Sequence, residues 1–197
     1  MGSRPEPLDP EEADDPEVAA LLADARTGWY GDTAFFGAMA HRPELFRRIV
    51  ETFEAFGRGD DVDDELLELM RLKIAERHRC AYCATVRTIA VGDEVAPKED
   101  AVFGEVDGER LTRREYLAVS LAEQLSTDPH RLADEFFGAL REEFSEEAVV
   151  ELLLFAGLEV GLDRFCIALE LQPTEEGPYP EDVTYPLEEP EPRTRRE

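Results

Sequence analysis

Residues 68–88 read ELMRLKIAERHRCAYCATVRT, a helical hydrophobic period that runs into two cysteines three apart. Upstream, DDELLELMRLKIAERH offers Asp63 or Asp64 as an N-cap and turns Leu66, Leu69, Met70 and Ile74 to one face. A break near Arg77 to Arg79 then predicts a new helix from about Cys80 to about Val91, ending at Gly92. On that helix Cys80 and Cys83 share a face, one turn apart. Both would lie in the first turn, where unpaired backbone N–H groups and the macrodipole favour an anion, so a lowered thiol pKa is expected.

Working outward, the same period recurs in almost every segment, and no stretch alternates β-branched residues in the manner of a strand. HRPELFRRIVETFEAF puts Leu45, Phe46, Ile49, Val50, Phe53 and Phe56 on a stripe, with Pro43 in its first turn and a stop at GRGD. LTRREYLAVSLAEQL opens with Thr112 and Glu115 in capping-box spacing, and DPHRLADEFFGAL starts with Asp128 as cap and Pro129 as first helical residue. The last helix begins at Ser145 and is apolar on most of its circumference, which places it at the centre of a bundle or against another subunit. The fold class is therefore all-α. Residues 1–25 form an acidic arm with a short helix on which Val18, Leu21 and Leu22 share a face. Residues 26–172 form the domain, and 173–197 a Pro/Glu-rich tail with too few large apolar residues to fold alone, expected to be mobile and to take no part in catalysis.

The 197 residues carry a formal net charge of −26, with lysine only at Lys73 and Lys98. Such a surface repels polyphosphate, so nucleic acid and anionic membranes are excluded as partners. It suits a salt-rich cytoplasm, where dissolved ions screen the repulsion between carboxylates. Three cysteines are too few for a secreted disulfide framework, the acidic start is unlike a signal peptide, and no apolar run reaches membrane-spanning length. A cytoplasmic protein is expected.

Three readings of the CxxC pair stand open on the residues themselves. A thiolate that attacks a peroxide becomes a sulfenic acid, which a second thiol at this spacing resolves to a disulfide. Zinc would need about four ligands, and the neighbourhood offers Cys80, Cys83 and His78. Or the two are small core residues.

ELMRLKIAERHRCAYCATVRT resembles the signature of the alkylhydroperoxidase D-like (AhpD-like) and carboxymuconolactone decarboxylase-like family, in which a glutamate precedes the CxxC by twelve positions and a histidine follows it by four. AMAHRPELFRRIVETF and the stretch from Leu111 to Phe165 are similar to the flanking helices of that family, so the resemblance covers about residues 30 to 172. It implies an AhpD-like helical bundle that oligomerises through its helices and, in redox-active members, a thiol peroxidase or disulfide reductase. By position Cys83 would be the attacking thiolate, Cys80 the resolving and proton-donating thiol, and Glu68 a proton-relay carboxylate. The partners would be a peroxide and a dithiol reductant, protein or small thiol, with no cofactor or metal.

Where the family has its relay histidine this chain has Arg87, which either stabilises the Cys83 thiolate or closes the site by pairing with Glu68. His78 is near enough in sequence to substitute as a relay, whereas His41 and His130 read as local hydrogen-bonding residues at helix starts. Tyr82 either lines the pocket or packs outward. Cys166 reads as a small buried core residue. Asp163 and Arg164 read as a buried ion pair, an interface contact or ligand contacts. The alternatives in function are an oligomeric non-redox member of the same fold with an inert pair, and a lactone decarboxylase-like enzyme.

Overall fold

The computed structural model describes residues 3–59 and 61–173, and the tail expected to be mobile lies, from residue 174 on, outside the described residues. All regular structure among the described residues is helical, as the periodicity predicts: α1 (Pro16–Asp24), α2 (Ala34–Ala40), α3 (Pro43–Phe53), α4 (Asp64–His78), α5 (Ala81–Thr85), α6 (Gly92–Val95), α7 (Glu99–Val102), α8 (Arg113–Thr127), α9 (Asp134–Glu143) and α10 (Glu146–Leu169), with short 3-10 turns between some of them. None of these helices is long and apolar enough to cross a membrane.

The start signals are realised where they are local. Asp63 caps α4 by accepting from the Leu66 N–H, Thr112 and Glu115 form the capping box of α8, and Ser145 caps α10 through the Ala148 N–H. Asp128 and Pro129 instead start a single 3-10 turn, and α9 begins only at Asp134. On α3, Phe46, Val50 and Phe53 are buried, but Leu45 is exposed.

The centre of the bundle is α4, where every residue from Leu66 to Glu76 is buried. One side packs with α8, α9 and α10 around Met70, Ile74, Leu121 and Leu152; another meets α6 and α7 through Leu72, Val95 and Val102. Of the two places expected for the last helix, the centre of the bundle is taken by α4 instead. The buried polar residues from Glu68 to Glu76 are inside because each finds a partner. Lys73, with no exposed side-chain surface, donates to Glu76 (3.0 Å) and to the carbonyls of Val102 (3.1 Å) and Gly104 (2.5 Å), which uses all three ammonium protons. By contrast α10 shows Val150 and Leu154, one turn apart, to solvent.

The N-terminal arm is part of the core. Val18 and Leu22 pack in the same cluster as Phe36, Phe46, Tyr82 and both CxxC cysteines. The Leu8 N–H donates to the Gly37 carbonyl at 3.2 Å, and a Cβ on Gly37 would stand 2.4 Å from the Leu8 carbonyl oxygen, so only glycine lets the strand of chain lie so close to α2.

Candidate active site

The CxxC turn is built by the end of α4. Arg79 takes a left-handed conformation (φ 57°, ψ 39°), and its N–H and that of Cys80 close on the carbonyls of Glu76 and Ala75, which stops the helix and turns the chain. Cys80 then acts as the N-cap of α5, its Sγ accepting the Cys83 N–H at 3.3 Å. The predicted helix to Val91 ends after five residues. Its carbonyls are diverted: the Arg71 guanidinium, reaching across from α4, donates to the Cys83 and Val86 carbonyls, each at 2.6 Å. Thr88 turns its N–H (3.1 Å) and hydroxyl (2.8 Å) to Glu68.

Glu68 is thereby saturated. Its oxygens accept from Arg71 Nε (2.8 Å), Arg71 Nη2 (2.7 Å), the Thr88 N–H and the Thr88 hydroxyl, which fills the four lone-pair sites of a carboxylate. Burial pushes its pKa up, but the Arg71 charge and the Thr88 donors outweigh that and hold the carboxyl below its ordinary range. A group so placed stays ionised and has no oxygen left to hand on a proton, which removes the basis for Glu68 as the relay.

Arg87 also departs from the expected pairing with Glu68. It grips Glu99 through Nε (2.6 Å) and Nη2 (2.9 Å) and the carbonyls of Ala84, Thr85 and Val86 through Nη1. The cation that pairs with Glu68 is Arg71, so the expected Arg87–Glu68 bridge is not formed. Arg87 fastens the segment after α5 to α7 instead.

Three sulfurs meet where α4, α5 and α10 converge. The Sγ atoms of Cys80, Cys83 and Cys166 all lie within 4.8 Å of one another, and all three residues are buried thiols, Cys83 least so. Burial, followed by the adjoining sulfurs, pushes the Cys83 thiol well above its ordinary pKa, and Cys166 is likewise raised by burial. For Cys83 the expected lowering by the helix start is overturned: α5 is one turn long, and the desolvation of the anion dominates.

One face of α10 supplies Glu159, Asp163 and Cys166 at helical spacing. Asp163, buried, has its Oδ2 3.3 Å from His78 Nδ1, at ion-pair distance but without hydrogen-bond alignment. Burial raises the Asp163 carboxyl, while the neighbouring His78 and Cys83 oppose that. Arg164 points away and is exposed, so the two neighbours do not pair. Glu159 is buried with Oε1 unpartnered, and desolvation pushes its pKa up to about 8 against the partial relief from Arg71. Tyr82 packs inward, its hydroxyl donating to Asp32 at 2.8 Å.

A cavity of about 20 Å³ touches Cys83, Cys166, Arg71, Glu159, Asp163 and Tyr82. Beyond it a second, of about 70 Å³, is walled by Trp29, Phe53, Phe56 and Phe155. Tyr30, Arg71 and Glu159 border both, so they stand between the larger aromatic chamber and the thiols. Arg71, Asp163 and Glu159 are the members of the site that spacing alone did not assign. The signal available was three charged residues at inward-facing positions of α4 and α10.

No protein-family model and no curated protein matches the chain. Solved structures do. A protein from Ralstonia eutropha JMP134, described as an alkylhydroperoxidase AhpD core and an uncharacterized peroxidase-related protein, superposes with a TM-score of 0.68 at 19% identity, over 89% of this chain and 94% of that one. An uncharacterized peroxidase-related protein from Silicibacter sp. TM1040 gives 0.71 at 15% identity, over 90% and 96%. The debrominase Bmp8 gives 0.69 at 21% identity, over 86% and 91%, and is also solved as a cysteine-to-alanine variant in complex with 2,3,4-tribromopyrrole. These likenesses establish the AhpD-like fold for this chain.

Proposed function

We propose that the protein is a thiol-dependent peroxidase or disulfide reductase that works through Cys83 and Cys80. The observation that carries this reading is the meeting of the two sulfurs within 4.8 Å beside a small cavity bordered by Arg71 and Glu159. A space of about one water probe admits a reagent of the size of hydrogen peroxide more readily than a bulky one.

In the proposed cycle Asp163 accepts the proton of the Cys83 thiol, and the thiolate attacks one peroxide oxygen as the O–O bond breaks. The departing oxygen takes a proton from Glu159, which below about pH 8 is neutral and holds one to give. Cys80 then attacks the Cys83 sulfenic acid, water leaves with the Cys80 proton, and a disulfide forms. A dithiol reductant, protein or small thiol, restores both thiols by exchange. Glu68 acts by position: it holds Arg71, and Arg71 holds the Cys83 and Val86 carbonyls. Buried thiols of this kind suit a reducing compartment such as the cytoplasm.

Stoichiometric hydrogen peroxide is expected to consume two of the three thiols of the native protein, counted with a chromogenic disulfide, and Cys83→Ser should abolish peroxide turnover. Equal turnover in wild type and Cys83→Ser would end this reading and leave the pair inert.

We further propose a homo-oligomer that buries Val150 and Leu154 of α10, since two large apolar side chains on one exposed face seek a partner surface. The charge of −26 should weaken that assembly when salt is withdrawn. Sedimentation velocity at low and at molar salt checks both points, and a monomer in each condition refutes them.

A further inference from the structure

We propose that Cys166 is a third redox thiol, which forms a disulfide with Cys83 and resolves its sulfenic acid in parallel with Cys80. This rests on the peroxidase reading for its oxidant, though the pairing itself does not. The sequence presents Cys166 as a core residue 83 positions from Cys83, and burial bears out the first half of that description. The geometry adds what sequence distance hides: its sulfur is within the same 4.8 Å sphere as the CxxC pair, and Cys166 and Cys83 line the same small cavity.

Several features make the contact more than chance packing. The approach is fixed on both sides by rigid elements, the CxxC turn clamped by Arg71 and the long helix α10 capped at Glu170. Asp163, one turn before Cys166 on α10, lines the same small cavity as Cys83 and Cys166, so the same helix face brings both a carboxyl group and a thiol to the reacting sulfur. Asp163 Oδ2 and both ring nitrogens of His78 are buried without a hydrogen-bond partner, which leaves capacity for a proton released beside the sulfurs.

The step balances as the ordinary resolution does. Peroxide oxidises Cys83 to the sulfenic acid; the Cys166 sulfur attacks the Cys83 sulfur, the S–O bond breaks, and hydroxide leaves as water with the Cys166 proton. Exchange converts one bridge into the other without further oxidant, because Cys166 attacking a Cys80–Cys83 disulfide at Cys83 releases Cys80 as thiolate. The two disulfides differ in reach. Cys80–Cys83 joins residues of one turn, whereas Cys83–Cys166 ties α5 to α10 across a long loop and restrains the unfolded chain far more.

The test compares Cys80→Ser, Cys166→Ser and the double variant after one equivalent of hydrogen peroxide, and separately after diamide, with disulfides mapped by peptide mass. Serine retains the N-cap of α5, and Cys80→Ala repeats the measurement without a buried hydroxyl. Expected are a Cys83–Cys166 bridge in Cys80→Ser with either oxidant, and roughly tenfold less dimedone adduct on Cys83 than in the double variant, where no resolving thiol remains. If diamide leaves both thiols of Cys80→Ser unlinked, or peroxide forms the Cys83 adduct in the double variant and as much of it in Cys80→Ser, Cys166 is not a redox partner and the inference falls. If diamide forms the bridge while peroxide oxidises no variant and not the wild type, the pairing stands and the peroxidase reading is what fails.

Discussion

Arg71→Leu is expected to destabilise the protein by about 3–5 kcal/mol, the cost of leaving a buried carboxylate without its cation. The size follows from what the guanidinium holds. It is buried beneath the Tyr30 ring, 5.4 Å from the ring centre, pairs bidentately with Glu68, and donates to two carbonyls that the shortened α5 leaves without helical partners. Removing Glu68 as well, in Arg71→Leu with Glu68→Leu, should recover most of the loss, because replacing both members of a buried pair by apolar groups is often nearly neutral. Recovery stays incomplete since the Cys83 carbonyl and the Thr88 N–H lose their partners, and the Val86 carbonyl keeps only Arg87. Urea unfolding of the wild type and the two variants measures this. A loss below about 1 kcal/mol for Arg71→Leu would show the pair to be no better than a surface bridge.

The same residue explains how far the sequence could be read. Asp63, the Thr112–Glu115 box and Ser145 announce their helices correctly because a cap is decided within four residues. The end of α5 is decided by Arg71, fifteen positions before Val86, and no local pattern in CAYCATVRT records that its carbonyls are claimed from another helix. Glu68 and Arg71, three apart on α4, have the spacing of an ordinary exposed pair, so the pattern does not reveal that both are buried. Lys73 and Glu76 hide the centrality of α4 in the same way, by giving a fully enclosed helix the composition of a surface one. Cys80 and Cys83 were legible because their spacing is short. Their companions Cys166 and Asp163 come from a helix that only tertiary packing brings near.

Glu159 should make the stability of the protein fall as pH rises from about 5 to 8. Its carboxyl is protonated in the folded chain up to about pH 8 and ordinarily ionises near 4.5, so between those values the folded state keeps a proton that the unfolded state has released. Folding is then opposed increasingly with pH, by at most about 1.4 kcal/mol per pH unit, or about 3 kcal/mol accumulated between pH 5 and 7.5. Asp163, also raised by burial, acts in the same direction. Glu68 is held low and acts in the opposite one, but its loss of stability falls in the acid range, below the window of interest. Glu159→Gln keeps the size and polarity of the side chain while removing the ionisation, so its urea midpoint should fall less over pH 5–8 than that of the wild type, with only the share from Asp163 left. Parallel curves would mean that Glu159 ionises like an exposed carboxylate. The substitution also separates stability from chemistry: glutamine has no proton to give the departing oxygen, so turnover with hydrogen peroxide should drop by about 10²-fold at pH 6 even where Glu159→Gln is the more stable protein. A more stable variant that reduces peroxide as fast as the wild type would take the proton-donor role away from Glu159 while leaving its effect on folding intact.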